Sequence, residues 1–262
     1  MYCSPAAAIV VVSVGDFVYA GTSFDGPVLL GTAADEVCSL EGRMYSFTMT
    51  ETAFKADVHS EYDWLNISLQ DVMELYGRVG PPFHGQPNVS CGCGSPQLAP
   101  EVCIPCKHPS KPAYSPWWWS VVERGSDFGF HCTSRAFAAV HSKKQPVFLH
   151  SYKIMEEQFP GLFCAAHCTE KAIYSFTGPL QPDTETDRGR LIEIASRYLL
   201  SFYKHGDSNA ERDKGAPEWP EYSAAGQNVA FALPDAGGVY VEQNYRQQEC
   251  DYWETLPDGP DQ

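Results

Sequence analysis

The pattern that most constrains this chain is an alternation of short apolar runs with longer amphipathic ones. Val28 to Thr32 and Pro146 to Tyr152 are brief and mostly apolar, as strands buried in a sheet must be. Asp127 to His141 reads as a helix, with Phe130, Ala136, Phe137 and Val140 available for one face and Ser126 placed as its cap. Asp187 to His205 is the clearest helix. Leu191, Ile192, Ile194, Ala195, Tyr198, Leu199 and Phe202 recur at helical spacing, Thr186 or Asp187 can cap the start, and Gly206 stops it after Lys204 and His205. Ala7 to Val14 reads as a further buried strand, and Asn228 to Leu233 pairs with Val239 to Tyr245 around the Gly237-Gly238 turn. Strand–helix alternation of this kind predicts the α/β class.

The rest is less regular. Residues 42 to 80 are mixed, with one helix expected over Leu69 to Tyr76. Residues 80–119 are crowded with proline, glycine and cysteine and read as an irregular surface insertion. Within it Cys91, Cys93, Cys103 and Cys106 form C-x-C and C-x-x-C, flanked by His84 and His108. Two local disulfides and a tetrahedral zinc site are both open readings. Trp117, Trp118 and Trp119 cannot all face one way, and a hydrophobic contact following the insertion is expected. The 262 residues can hold one large α/β domain or half of a larger one, and no internal repeat is visible.

A formal net charge of −15 repels polyphosphates and anionic headgroups, so nucleic acid and charged membranes are poor partners. No stretch approaches the roughly 18 apolar residues of a membrane helix. Ten cysteines and two glycosylation sequons, at Asn66 and Asn88, point together to an oxidising, secretory compartment. The N-terminus carries an apolar run without a basic leader or a persuasive small-residue cleavage site, so no signal peptide is visible.

Four separated segments carry a resemblance. Leu29-Leu30-Gly31-Thr32-Ala33-Ala34-Asp35-Glu36 is a strand ending in Gly-x-x-x-Asp-Glu. Ser126-Asp127-Phe128-Gly129-Phe130-His131-Cys132-Thr133-Ser134-Arg135 resembles an Asp-x-x-Phe-x-Cys-Pro-x-x-Arg helix. Ala166-His167-Cys168-Thr169-Glu170 is a His-x-x-Glu loop. Phe202 to Asn209, Trp219-Pro220-Glu221-Tyr222 and Cys250-Asp251-Tyr252-Trp253 complete the set. In this order they are similar to the C-terminal half of the type-B carboxylesterase (cholinesterase-like) family. The pattern departs at two positions, where the family's glycines are replaced by Val37 after the acid and Cys164 before the histidine loop.

The resemblance implies the C-terminal part of an α/β-hydrolase fold, in one partial domain over residues 1–262 with a mostly parallel sheet flanked by helices. It also implies a serine ester hydrolase in which Glu36 orients His167 as the base of a Ser-Glu-His triad. Asp35 and Glu170 are assigned structural roles, and Cys132 and Cys250 the two halves of one disulfide. No cofactor and no metal are implied, and the substrate is a small-molecule ester. The hydrolase triad runs nucleophile, acid, histidine along the chain. No G-x-S-x-G occurs here, and Gly21-Thr22-Ser23-Phe24-Asp25-Gly26 has the wrong spacing for it. The chain is therefore expected to be inactive alone, to need an N-terminal half, and to derive from a secreted parent. The alternative is a non-catalytic cholinesterase-like adhesion or interaction domain. Pairing of Cys3, Cys38, Cys164 and Cys168 stays open, including Cys164 with Cys168.

Overall fold

Strands β2 (Val28–Ala33) and β3 (Val147–Tyr152) lie parallel, with Val28 opposite Val147 and Ala33 opposite Tyr152. The computed structural model describes residues 8–9, 25–40, 42–62, 65, 67–77, 114–159, 162–170, 184–223, 225–234 and 237–256. The sequons at Asn66 and Asn88, the cysteines at Cys91, Cys93, Cys103 and Cys106, and all but Ala8–Ile9 of the first expected strand lie outside these residues.

Strand β1 (Ala8–Ile9) pairs parallel with β2. A hairpin of β4 (Glu156–Phe159) and β5 (Leu162–Cys164) stands apart from the main sheet. Strand β6 (Gln227–Phe231) adds parallel to β3, and β7 (Val239–Gln243) closes the edge antiparallel to β6. The sheet order is β1-β2-β3-β6-β7. Gly237 and Gly238, at φ 99° and 72°, make the turn that joins the last pair, as their sequence predicts.

The helices are α1 (Glu51–Tyr62), α2 (Leu69–Tyr76), α3 (Pro116–Ser126), α4 (Cys132–His141), α5 (Asp187–His205) and α6 (Gln247–Glu254). Alternation along β2 and β3 explains why both sheet faces are covered. Leu29 and Phe148 point to α5, where Leu191, Ala195, Tyr198, Leu199 and Phe202 are buried. Val28, Leu30, Val147 and Leu149 point the other way, onto Ala138 of α4 and Tyr222. The α/β class expected from the alternation is observed, with a mostly parallel sheet between helices.

A third cluster, around Trp118, Trp119 and Trp253, gathers α1, α2, α3 and α6. The Trp117–Trp119 run thus makes the expected hydrophobic contact, with Trp118 and Trp119 fully buried. Helix α5 is capped by Thr186, whose hydroxyl accepts from Gly189 N at 3.0 Å, and ends at Gly206 in the left-handed region.

Two expectations are corrected. Regular structure resumes at Pro116, so the irregular segment cannot run through residue 119. Ser115 caps α3, accepting from Trp118 N at 3.1 Å, and Pro116 occupies the first turn, where its missing N–H costs nothing. Ser126 is not a cap, because a π-helical turn (Asp127–His131) carries α3 directly into α4. Its hydroxyl instead accepts from Val37 N at 3.3 Å.

Candidate functional site

The site forms where β2 leaves the sheet, at the carboxyl edge where open α/β sheets place their ligands. The ladder continues one residue past the strand, with Ala34 N donating to Tyr152 O at 2.8 Å. The chain then turns through Asp35 into a 3₁₀ turn, Glu36–Ser39. That turn carries the Glu36 carboxylate back under the strand end, where Oε1 accepts from Ala33 N at 2.6 Å. Glu36 is buried, at 2% exposure.

The histidine loop follows β5 and docks on this turn through Asp35. Asp35 N donates to Ala165 O, and Ala165 N donates to Asp35 Oδ2, both at 2.9 Å. His167 N then donates to Glu36 O at 3.1 Å. The loop closes on itself through Thr169, whose hydroxyl donates to Ala166 O, and it passes through a left-handed backbone at Cys168. These contacts bring His167 Nδ1 to 2.7 Å from Glu36 Oε2. The two residues are 131 positions apart in the chain.

The carboxylate can only accept, so the proton of a neutral His167 ring belongs on Nδ1. That leaves the lone pair of Nε2 outward, and Nε2 makes no hydrogen bond among the described residues. The ring is about one third exposed, with Phe130 tilted against it at 5.4 Å between centroids. The hydrogen bond and charge of Glu36 raise the His167 pKa above its usual 6.5, against the opposing effect of burial. Glu170, three residues on and 5% exposed, feels the reverse: burial, reinforced by the Glu36 charge, pushes its carboxyl up to about 7.

Behind the acid lies a buried charged network. His131 sits between Asp127 Oδ1 and Ala33 O, at 2.9 Å from each, so the residue whose N–H holds Glu36 is gripped from its carbonyl side too. Asp127 is paired by Arg246 and accepts from Tyr76 Oη at 2.9 Å, which in turn accepts from Trp253 Nε1 at 2.8 Å. The Arg246 and His131 contacts hold the Asp127 carboxyl below its usual range despite full burial.

Of the residues the sequence singles out, Glu36 and His167 are brought together, and Asp35 and Glu170 sit beside them. Cys132 and Cys250 are bonded, fastening α4 to α6. Of the cysteines whose pairing the sequence leaves open, Cys38 and Cys164 are bonded, so Cys164 does not pair with Cys168, and Cys3, Cys91, Cys93, Cys103 and Cys106 lie outside the described residues. The nearness of Cys38 and Cys164 to Glu36 and His167 in sequence was the available signal. Sequence reasoning also missed the roles of His131 and Arg246, since no local motif links Arg246 to Asp127. Among the described residues no group of His, Cys, Asp and Glu side chains could hold a metal ion, and no helix is long and apolar enough to cross a membrane.

No protein-family model matches the sequence. Among solved structures the chain is similar to EstA of Aspergillus niger, with a TM-score of 0.60 and 19% sequence identity over 88% of this chain. The match takes in 40% of EstA, so this chain spans less than half of that protein's length. At this identity the likeness establishes a shared fold.

Proposed function

We propose that this chain supplies the acid, Glu36, and the base, His167, of a Ser-Glu-His triad in a carboxylic ester hydrolase of the type-B carboxylesterase kind. The 2.7 Å contact between His167 Nδ1 and Glu36 Oε2, with Nε2 unengaged among the described residues, carries the reading. The fold shared with the esterase EstA supports it. Catalysis of this kind needs a hydroxyl deprotonated as it attacks the ester carbonyl. Nε2 takes that proton, and Glu36 stabilises the imidazolium that results. The same nitrogen returns the proton to the departing alcohol, and a water molecule then repeats the cycle on the acyl-enzyme.

The nucleophile and the oxyanion donors are supplied from outside these 262 residues, since no serine elbow occurs in the sequence. The substrate is a small-molecule ester and no cofactor takes part. The two disulfides among the described residues suit an extracellular parent. A non-catalytic adhesion domain, the alternative, has no chemical use for a buried carboxylate aligned on a partly exposed imidazole.

The test is reconstitution. The chain alone should hydrolyse p-nitrophenyl acetate no faster than buffer. Refolded with a polypeptide carrying a serine elbow and a glycine-rich oxyanion loop, it should turn the ester over. His167→Ala should then lower turnover by roughly three orders of magnitude or more. Retention of turnover in that variant refutes the assignment.

A further inference from the structure

We infer that the Cys38–Cys164 disulfide is a positioning cross-link for the Glu36–His167 pair, an inference that rests on those two residues being the acid and base proposed above. Cys38 lies two residues after Glu36 in the same 3₁₀ turn, and Cys164 lies three residues before His167 at the end of β5. The bond joins the two segments with 6.5 Å between Cα atoms, and both cysteines are fully buried. Without it, bringing acid to base closes a loop of 131 residues. With it, the pair closes a ring of a few residues running through the sulfurs, and the entropy of closure falls accordingly.

Among the described residues, the junction is also crossed by the hydrogen bonds of Asp35 with Ala165, of His167 N with Glu36 O and of His167 Nδ1 with Glu36 Oε2. Hydrogen bonds in a loop open locally at little cost, whereas a covalent bond makes the acid turn and the histidine loop open together or not at all. Cysteine at 164 is also one of the two departures from the carboxylesterase pattern, which has glycine there.

The second disulfide supplies the control. Cys132–Cys250 spans 118 residues against 126 for Cys38–Cys164, so the chain-entropy model gives the two nearly equal weight in overall stability. Only the latter should govern the pair. The readout is the downfield proton NMR signal of His167 Nδ1–H, identified by its loss in His167→Gln, together with its exchange rate with water. In the folded C38A/C164A variant this proton should exchange on the order of tenfold faster than in wild type. In C132A/C250A it should keep the wild-type rate.

An unchanged rate in C38A/C164A overturns the inference while leaving the ester-hydrolase reading intact. Failure of reconstituted turnover sinks that reading without altering the NMR result. A measurement on the unmodified chain decides the matter if C38A/C164A does not fold. The amides of Asp35, Ala165 and His167, which cross the junction, should exchange through one common opening with the same denaturant dependence, and separate openings would contradict the cross-link's role.

Discussion

The imidazole of His150 occupies the space that a side chain at Gly31 would need. The two residues face each other across β2 and β3, and a β-carbon on Gly31 would fall 2.0 Å from the His150 ring. The ring is itself hemmed in by Phe231 and Trp219, at 5.3 and 5.7 Å between centroids, and burial pushes its pKa down to about 3. Gly31 therefore opens the Gly-x-x-x-Asp-Glu segment as glycine for reasons of space. Gly31→Ala should destabilise the fold by about 3 kcal/mol or more, measured by urea denaturation, because neither strand can yield without shifting the ladder that aims Glu36. A shift below 1 kcal/mol would show that the strands can part more easily than this packing implies.

The network around Asp127 makes a second case. Replacing Asp127 by Asn removes the nearest carboxylate of the half-buried Arg246, leaving Glu123 and Glu249 at 3.7 Å, and weakens the hold of His131 on Ala33. Breaking a fully buried pair costs about 3–5 kcal/mol, and the two remaining carboxylates and partial exposure of Arg246 should hold the loss below that range. Denaturant midpoints for Asp127→Asn and the double variant Asp127→Asn/Arg246→Met should differ, with the double variant recovering part of the loss. Equal losses in the two would show that the Arg246 charge is adequately solvated without Asp127.

Removing either disulfide should lower stability by about 5 kcal/mol in the chain-entropy model, since each closes a loop of more than a hundred residues. Thermal unfolding of C38A/C164A and C132A/C250A should show comparable losses. A much smaller loss for one of them would mean that the unfolded chain already holds those segments near each other.

Glu170 should give the chain a distinctive pH dependence. Its carboxyl is raised from 4.5 to about 7, so the native state holds this proton more tightly than the unfolded chain does. The associated stability is fully present below pH 4.5 and declines as pH rises to about 7, by up to about 3 kcal/mol. Glu170→Gln removes that slope. The variant should match wild type near pH 4 and exceed it near pH 8 in urea midpoint. Parallel curves across this range would contradict a buried, protonatable Glu170.

Much of this architecture was legible because strand and helix periods are local properties. Val28–Ala33, Val147–Tyr152, Leu69–Tyr76 and Asp187–His205 follow from apolar spacing and caps. Helix α1 was not anticipated: Phe54, Val58 and Tyr62 form a seam one residue wide, too narrow to stand out among polar neighbours. The start of α3 was hidden by the proline-rich stretch before it, although Ser115-Pro116 is a good helix opening. Ser126 stands directly ahead of the Asp127–His141 segment, where a capping residue is expected, and a π turn inside a continuous helix leaves no mark in apolar spacing.

The site divides in the same way. Glu36 and His167 were legible through their flanking residues. The Cys38–Cys164 bond and the His131–Ala33 contact were not, because each depends on which distant segments the sheet brings together.

The most direct measurement of the central claim is the titration of His167 by NMR in wild type and in Glu36→Gln. The carboxylate stabilises the imidazolium, so wild-type His167 should titrate above the usual 6.5, and Glu36→Gln should bring its midpoint down. Identical midpoints in the two proteins would mean that Glu36 and His167 do not act as a pair.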